Sequence, residues 1–246
     1  MDGNGRWAKT RFLPREAGHV KGVIALRKTV AAARELGISY LTVYAFSTEN
    51  WERPQSEVLS LMGIFRRFFH ADMKRLQKEN VHVRFIGKRE GLDGDIASLI
   101  NQAEQMTEAN TGLSFTVAFN YGAREEMVAA AQSLARDAAA GRFNPATINE
   151  SMFSHRLQTA GFPDVDLVVR AGGEQRISNF LLWQAAYAEF VFSDVLWPDF
   201  GKVHLEAALL EYASRNRRFG RLPPKGPEAS SKSSGGIRSA QQTASS

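Results

Sequence analysis

Three short runs in this 246-residue sequence place arginine beside glycine, serine or a carboxamide, the side-chain set that holds a multiply charged anion. They are Ser47-Thr48-Glu49-Asn50-Trp51-Glu52-Arg53-Pro54, Asn120-Tyr121-Gly122-Ala123-Arg124 and Arg170-Ala171-Gly172-Gly173-Glu174-Gln175-Arg176-Ile177-Ser178. A guanidinium offers a planar fork of donors to phosphate oxygens. Glycine lets backbone N–H groups approach the same oxygens with no Cβ in the way. With Arg6, Arg15 and His19, these runs could surround two phosphate groups. Each run also has a plain reading taken alone: Arg53-Pro54 suits a helix start, and Gly172-Gly173 suits a turn.

The opening run Met1-Asp2-Gly3-Asn4-Gly5-Arg6-Trp7 is loop-like, and its glycines resemble a phosphate cradle without matching either G-x-x-x-x-G-K-[ST] or G-x-G-x-x-G. Asp2 is a candidate Mg²⁺ ligand, because a carboxylate adjoining a diphosphate site commonly shares the ion with phosphate oxygens; it is equally a turn aspartate. His19 could bind or protonate a phosphate, or simply start a helix. The other four histidines have no metal-ligand spacing, and the absence of cysteine excludes disulfides, a Cys-ligated zinc and a thiol nucleophile. The net charge of +5 is concentrated at one end, since residues 221–246 carry +3 of it. A nearly balanced body is a poor footprint for nucleic acid, and a small anionic ligand needs only a local cluster.

These loops need a scaffold that delivers them to one place. Apolar periodicity predicts helices over 20–36, 56–79 (capped by Ser56), 93–109, 124–140, 149–159, 178–184 and 204–217. Apolar, β-branched runs predict strands over 40–46, 81–87, 113–119, 165–170 and 189–192. The alternation implies an α/β fold with a mostly parallel central sheet flanked by helices. In such a sheet ligands bind at the loops after the strand C-termini, which is where the three arginine runs fall. Helix 56–79 carries two apolar stripes, Val58, Met62, Phe65, Phe69, Met73 and Leu61, Ile64, Phe68. That suits a buried helix or a wall of a cleft for a hydrocarbon. Residues 221–246 are Pro-, Ser-, Gly- and Gln-rich and are expected to be a disordered tail. No run of 18 apolar residues occurs.

Met1–Ala8, Arg15–His19, Phe46–Pro54, Asn120–Gly122, Gly172–Gln184 and Tyr187–Glu189 together resemble the signature segments of the undecaprenyl diphosphate synthase family of cis-prenyltransferases, over roughly residues 1–220. The resemblance implies an enzyme that condenses isopentenyl diphosphate with an allylic diphosphate such as farnesyl diphosphate, making a lipid-carrier precursor for cell-wall synthesis. It implies a homodimer, Mg²⁺ as cofactor, a cytoplasmic location with peripheral membrane contact through the lipid product, and an apolar tunnel walled by helix 56–79 with Leu113 towards its far end. Residue by residue, it makes Asp2 catalytic as a metal ligand, with Glu189 a second metal carboxylate near the dimer interface. Gly3, Asn4, Gly5, Arg6, Trp7, Arg15 and His19 match the allylic diphosphate cradle. Arg170, Arg176, Ile177 and Ser178 match the isopentenyl diphosphate site. Ser47, Thr48, Glu49, Trp51 and Arg53 match a closing loop, with Asn50 catalytic near the reacting centre.

The sequence departs from the family pattern at Ala123, Ala171 and Gln175, where Gly, Thr and His are commonly seen; Gln175 removes any titrating role there. The family also places an apolar strand before the residue here numbered Met1, so such a segment upstream is expected to raise both stability and activity. No Asp-Asp pair occurs, which argues against the D-D-x-x-D trans class. A non-catalytic partner subunit is the alternative reading, and loss of Asp2 or of the Arg170–Ser178 run would mark it. A dinucleotide-binding oxidoreductase fails because no strand precedes a G-x-G-x-x-G.

Overall fold

The computed structural model describes residues 1–215. Its elements in chain order are α1 (Asn4–Lys9), α2 (Arg15–Glu35), β1 (Tyr40–Ser47), α3 (Gln55–Lys78), β2 (His82–Ile86), α4 (Gly94–Thr107), β3 (Ser114–Tyr121), α5 (Ala123–Ala139), α6 (Glu150–Ser154), β4 (Leu167–Ala171), β5 (Glu189–Ser193) and α7 (Lys202–Ser214). Short 3₁₀ turns cover Thr48–Glu52, Pro145–Thr147 and Trp197–Asp199. The tail expected to be disordered, and the last residues of the helix expected over 204–217, lie outside the described residues.

Every strand pair is parallel, as the α/β alternation requires. The strands fall into a three-stranded sheet, β1-β3-β2, and a two-stranded sheet, β4-β5. Tyr40 of β1 and His82 of β2 both register on Ser114 of β3, so the three strands start level and deliver their C-terminal loops to one edge. Central β3 is buried along almost its whole length, with Phe115 and Ala118 fully enclosed, which is why it reads as a continuous apolar run. Helix ends follow local chemistry. Gly37, at φ 72°, terminates α2, with the Ile38 N–H donating to Ala33 O; Asn80, at φ 57°, does the same for α3.

Several expected elements are corrected. The opening run is not a loop: Asn4–Lys9 is helical, because Gly3 adopts φ 98° as its cap and Gly18 admits a close helix crossing. A Cβ on Gly18 would lie 2.0 Å from Asn4 O. Helix α3 starts at Gln55 behind Pro54, one residue before the expected Ser56 cap. The helix expected over 149–159 stops at Ser154. Residues 178–184 form turns instead of a helix, with Ser178, Asn179 and Leu181 all at positive φ. Tertiary contacts override their apolar periodicity, since the Asn179 backbone and side chain are committed to neighbouring loops. The first stripe of α3 is core: Phe65 packs 4.6 Å from Phe119 and 5.9 Å from Phe85, ring centre to ring centre. Leu113 is likewise buried in that core. No helix among the described residues is long and apolar enough to cross a membrane.

A buried polar cluster locks the turn segment down. Glu126 of α5 accepts from the Tyr121 hydroxyl at 2.6 Å, Gln184 Nε2 at 3.1 Å and the Gln158 N–H at 2.9 Å. Burial and the Glu126 charge push the Tyr121 phenol pKa up, so it stays a donor. Replacing Glu126 by Ala strands these buried donors and should cost roughly 3 kcal/mol or more in denaturant unfolding, at about 1–3 kcal/mol each. Gln at the same place should recover part of it; a loss below about 1 kcal/mol for Ala would show the cluster to be open to water.

Candidate active site

A cavity of about 1080 Å³ opens at the C-terminal ends of β1 and β4 and runs down between these two strands. Its rim is polar and basic. Asp2, Gly3, Asn4, Gly5, Arg6, Arg15, His19, Ser47, Glu49, Asn50, Arg53, Arg170, Arg176, Ile177 and Ser178 all line it, so separate stretches of sequence meet here. Its depth is apolar, with Leu41, Val43, Val169, Phe190, Phe200 and Leu209 among the lining side chains. From α3 only Leu61 reaches it.

Asp2 sits at the centre of the rim. Its two oxygens are shared between Arg170 Nη2 at 2.9 Å and Arg6 Nη2 at 3.4 Å. Burial alone would raise its pKa, but the hydrogen bond and charge of Arg170, with the Gly3 N–H and Arg6, hold it below its usual value. Arg170 also donates to Ser178 Oγ at 2.8 Å and to the Arg176 carbonyl, so one guanidinium organises the whole loop after β4. The approach depends on Gly172, at φ 93°, where a Cβ would stand 2.9 Å from Arg6 Nη2 and 3.1 Å from Asp2 O. The N-terminal segment is fixed from below by the 3₁₀ turn at 197–199. The Trp197 N–H donates to Asp2 O, and Trp7 Nε1 donates to Asp199 Oδ1, at 2.9 Å and 2.8 Å.

On the opposite rim, Asn50 Oδ1 accepts from the Ser47 N–H at 3.1 Å, closing the 47–54 loop on itself. His19 is held below its ordinary 6.5, by burial first and by the charges of Arg53 and Arg15, with Glu57 opposing; its imidazole is neutral at pH 7. The 120–124 run, expected to help surround the phosphates, does not line the cavity, and neither do four residues expected at the site. Trp7 is a buried strut under Arg11, whose guanidinium lies 4.4 Å from the ring centre. Trp51 packs on Phe46 and donates to Asn120 Oδ1 at 2.8 Å, and Thr48 is turned towards Gly122. Glu189 pairs with Arg215 at 2.8 Å and registers on Leu167, three residues from Arg170 along β4, so it and Asp2 are not brought together within one chain.

Two functional residues escaped sequence reasoning. Asn179 donates to Glu49 Oε1 and accepts from the Arg124 N–H, both at 2.9 Å, while its carbonyl accepts from the Ala123 N–H, so it ties all three anion loops together. Glu57, in the first turn of α3, is the internal counter-ion of the second rim. It lies 3.0 Å from Arg53, 3.3 Å from Arg15 and 3.6 Å from His19, with its side chain only 10% exposed. The Arg53–Glu57 spacing of four along a helix start was the one available signal. Among the described residues, no three His, Cys, Asp or Glu side chains form a metal cage. The Asp2 carboxylate beside a phosphate-sized cation cluster nevertheless suits Mg²⁺, which is commonly held by one or two carboxylates plus substrate phosphates.

The sequence matches the family described as "Putative undecaprenyl diphosphate synthase" over residues 1–220. It is 56% identical over 222 residues to an isoprenyl transferase of Agrobacterium fabrum, covering 90% of each chain. It is 54% identical over 225 residues to isoprenyl transferase 2 of Bradyrhizobium diazoefficiens, covering 92% of this chain and 89% of the other. The fold is similar to that of lavandulyl diphosphate synthase from Lavandula x intermedia, a structure in complex with dimethylallyl diphosphate. The TM-score is 0.87 at 39% identity, covering 89% of this chain and 95% of that one. It is also similar to a probable undecaprenyl diphosphate synthase from Campylobacter jejuni, with a TM-score of 0.73 at 33% identity, covering 82% and 92% respectively.

Glu57→Gln removes the charge that Arg15 and Arg53 share while keeping the side chain's shape. Discounted for the exposure of the arginines, the loss should be about 1–2 kcal/mol of stability. Inorganic diphosphate restores negative charge to the same cations, so it should raise the melting temperature of the variant by more than that of the parent. Equal increments in the two proteins would mean that Glu57 and the ligand do not share those cations.

Proposed function

The chain belongs to the undecaprenyl diphosphate synthase family of prenyltransferases, and on that footing we propose that it condenses isopentenyl diphosphate with an allylic diphosphate, farnesyl diphosphate being the expected starter, to give a cis-polyprenyl diphosphate. The observation that carries the proposal is the polarity of the cavity: arginines and glycines around its mouth, aliphatic and aromatic side chains in its depth. An amphiphile with a diphosphate head and a hydrocarbon tail satisfies both parts, and the apolar depth is the proposed tunnel. The lipid carrier for cell-wall synthesis is the proposed use of the product. The proposed assembly is a homodimer.

In this reading the Gly3–Arg6 segment, Arg15, His19 and Arg53 seat the allylic diphosphate, and Arg170, Arg176 and Ser178 seat isopentenyl diphosphate. Fixing the two heads apart holds the tails in line, so an otherwise bimolecular encounter becomes intramolecular. As the allylic C–O bond breaks, charge grows on the departing diphosphate, and arginine donors preorganised by Asp2 and Glu57 meet it without rearranging. The isopentenyl double bond supplies the electron pair of the new C–C bond, and a proton leaves to form the new double bond. Neutral His19 retains a ring nitrogen able to accept, and the Asn50 carboxamide is positioned by the Ser47 backbone. Mg²⁺ held by Asp2, when bound, neutralises phosphate charge. Glu189 is assigned to the metal from a neighbouring subunit.

The test is elongation of farnesyl diphosphate with labelled isopentenyl diphosphate across a Mg²⁺ titration, with products sized. Asp2→Ala should lower kcat roughly 100-fold or more, with a stability loss of only about 1–2 kcal/mol as Arg6 and Arg170 lose their shared counter-ion. Arg176→Ala should raise KM for isopentenyl diphosphate about tenfold, the equivalent of one charge-assisted contact, and that for the allylic partner far less. Arg170→Ala touches Asp2 as well, so its effect should fall on both kcat and KM. Unchanged kcat in Asp2→Ala, or equal KM effects on both substrates in Arg176→Ala, would remove the respective assignment.

A further inference from the structure

The turn between α1 and α2, up to Pro14, has no part in the site described above, yet it is built for display. Residues 9–15 read Lys-Thr-Arg-Phe-Leu-Pro-Arg, with three cations and no acid. Phe12 at its tip is 99% exposed, and Leu13 beside it is 44% exposed. Val20, on the second turn of α2, is also exposed. Phe12 adopts φ 55°, a left-handed conformation that a bulky side chain rarely takes. Strain of this kind persists only where the surroundings over-determine it.

Here they do. The N–H groups of Arg11 and Leu13 both donate to Ala8 O at 3.0 Å, and that of Phe12 donates to Lys9 O at 3.2 Å. Arg11 is anchored to Asp199 at 3.1 Å and stacked on Trp7, which itself donates to Asp199. The turn is therefore rigid, and an aromatic ring that could fold back onto the protein is held out in water. Arg15, three residues on, lines the cavity mouth, so the displayed ring stands next to the entrance.

We propose that this turn inserts into the surface of an anionic lipid bilayer, with Phe12 and Leu13 as the apolar wedge and Lys9 and Arg11 facing the headgroups. Charge complementarity selects the partner. Cations around an apolar tip match the acyl boundary of a negatively charged leaflet, where amphipathic segments bury their apolar side a few ångströms deep. A convex tip of two apolar residues is too small to anchor a specific protein interface, which buries about 800 Å² on each side. Nucleic acid would use the arginines but would leave the Phe12–Leu13 tip in water. The mouth of an apolar cavity beside the wedge would then open towards the bilayer. The proposal stands on the turn alone and does not require the chemistry assigned to the cavity.

The experiment uses the full chain without substrates, floated with phosphatidylcholine vesicles and with vesicles containing about one third phosphatidylglycerol. The protein should float with the anionic vesicles and not with the neutral ones, and salt should weaken the binding. Phe12→Gly suits φ 55° better than phenylalanine does, so it should melt no lower than the parent. Phe12→Gly and Leu13→Ser together should reduce the bound fraction at limiting lipid at least about tenfold, since both apolar anchors are gone. Activity on a soluble starter should be unchanged. Phe12→Trp should show a blue-shifted difference emission on adding anionic vesicles. Equal binding of the parent and the double variant, no binding by either, or Phe12-dependent self-association in sedimentation without vesicle binding would each overturn the proposal.

Discussion

Guanidinium groups repel one another, and two unit charges 4 Å apart are worth about 4 kcal/mol at an effective dielectric of 20. A cavity rim that carries Arg6, Arg15, Arg53, Arg170 and Arg176 therefore needs counter-ions of its own before any ligand arrives. The fold supplies them in matched places. Asp2 divides its oxygens between Arg6 and Arg170, Glu57 sits among Arg15, Arg53 and His19, and Glu174 pairs with Arg176. The carboxylates hold the arginines in place without filling the cavity. An incoming diphosphate meets donors already aimed, and little reorganisation is left for the chemical step.

Much of the rest of the structure serves that arrangement. Asp2 comes from the first residues of the chain and Arg170 from the end of β4, so the N-terminal segment must be carried across the molecule. Gly18 lets α1 cross α2 at backbone contact, and the 197–199 turn grips Asp2 O and the Trp7 indole. Gly172 leaves room for Arg6. The loops after β1, β3 and β4 are joined through Asn179, and the strain at Ser178, Asn179 and Leu181 is held by the buried Glu126 cluster beneath. Polar contacts at the top and close packing around Phe65, Phe85 and Phe119 below make the rim rigid.

The cavity and the turn at Phe12 concern two kinds of apolar surface. One is enclosed between β1 and β4, and its depth suits a hydrocarbon. The other is a single ring displayed on a rigid turn beside the same entrance. The polyprenyl product proposed for this chain would leave most readily into a phase that dissolves it, which gives both surfaces a use.

The sequence by itself determined the residue types at the rim, the parallel α/β alternation and the family, because arginine–glycine loops, apolar strand runs and signature segments are local properties of the chain. It also pointed to the loops after strand C-termini, of which those after β1 and β4 line the cavity, while the 120–124 run expected beside them does not. What it left undetermined depends on contacts between residues distant in sequence. Residues 178–184 have helical periodicity, and only the burial of Leu181 and the commitments of Asn179 make them turns. Trp7 looks like part of a binding motif, and only its bond to Asp199, far along the chain, makes it a strut. Glu57 looks like an ordinary first-turn acid until Arg15 and His19 arrive from α2. Tertiary structure decided these roles because charge compensation and burial act through space, where neighbours along the chain carry no privilege.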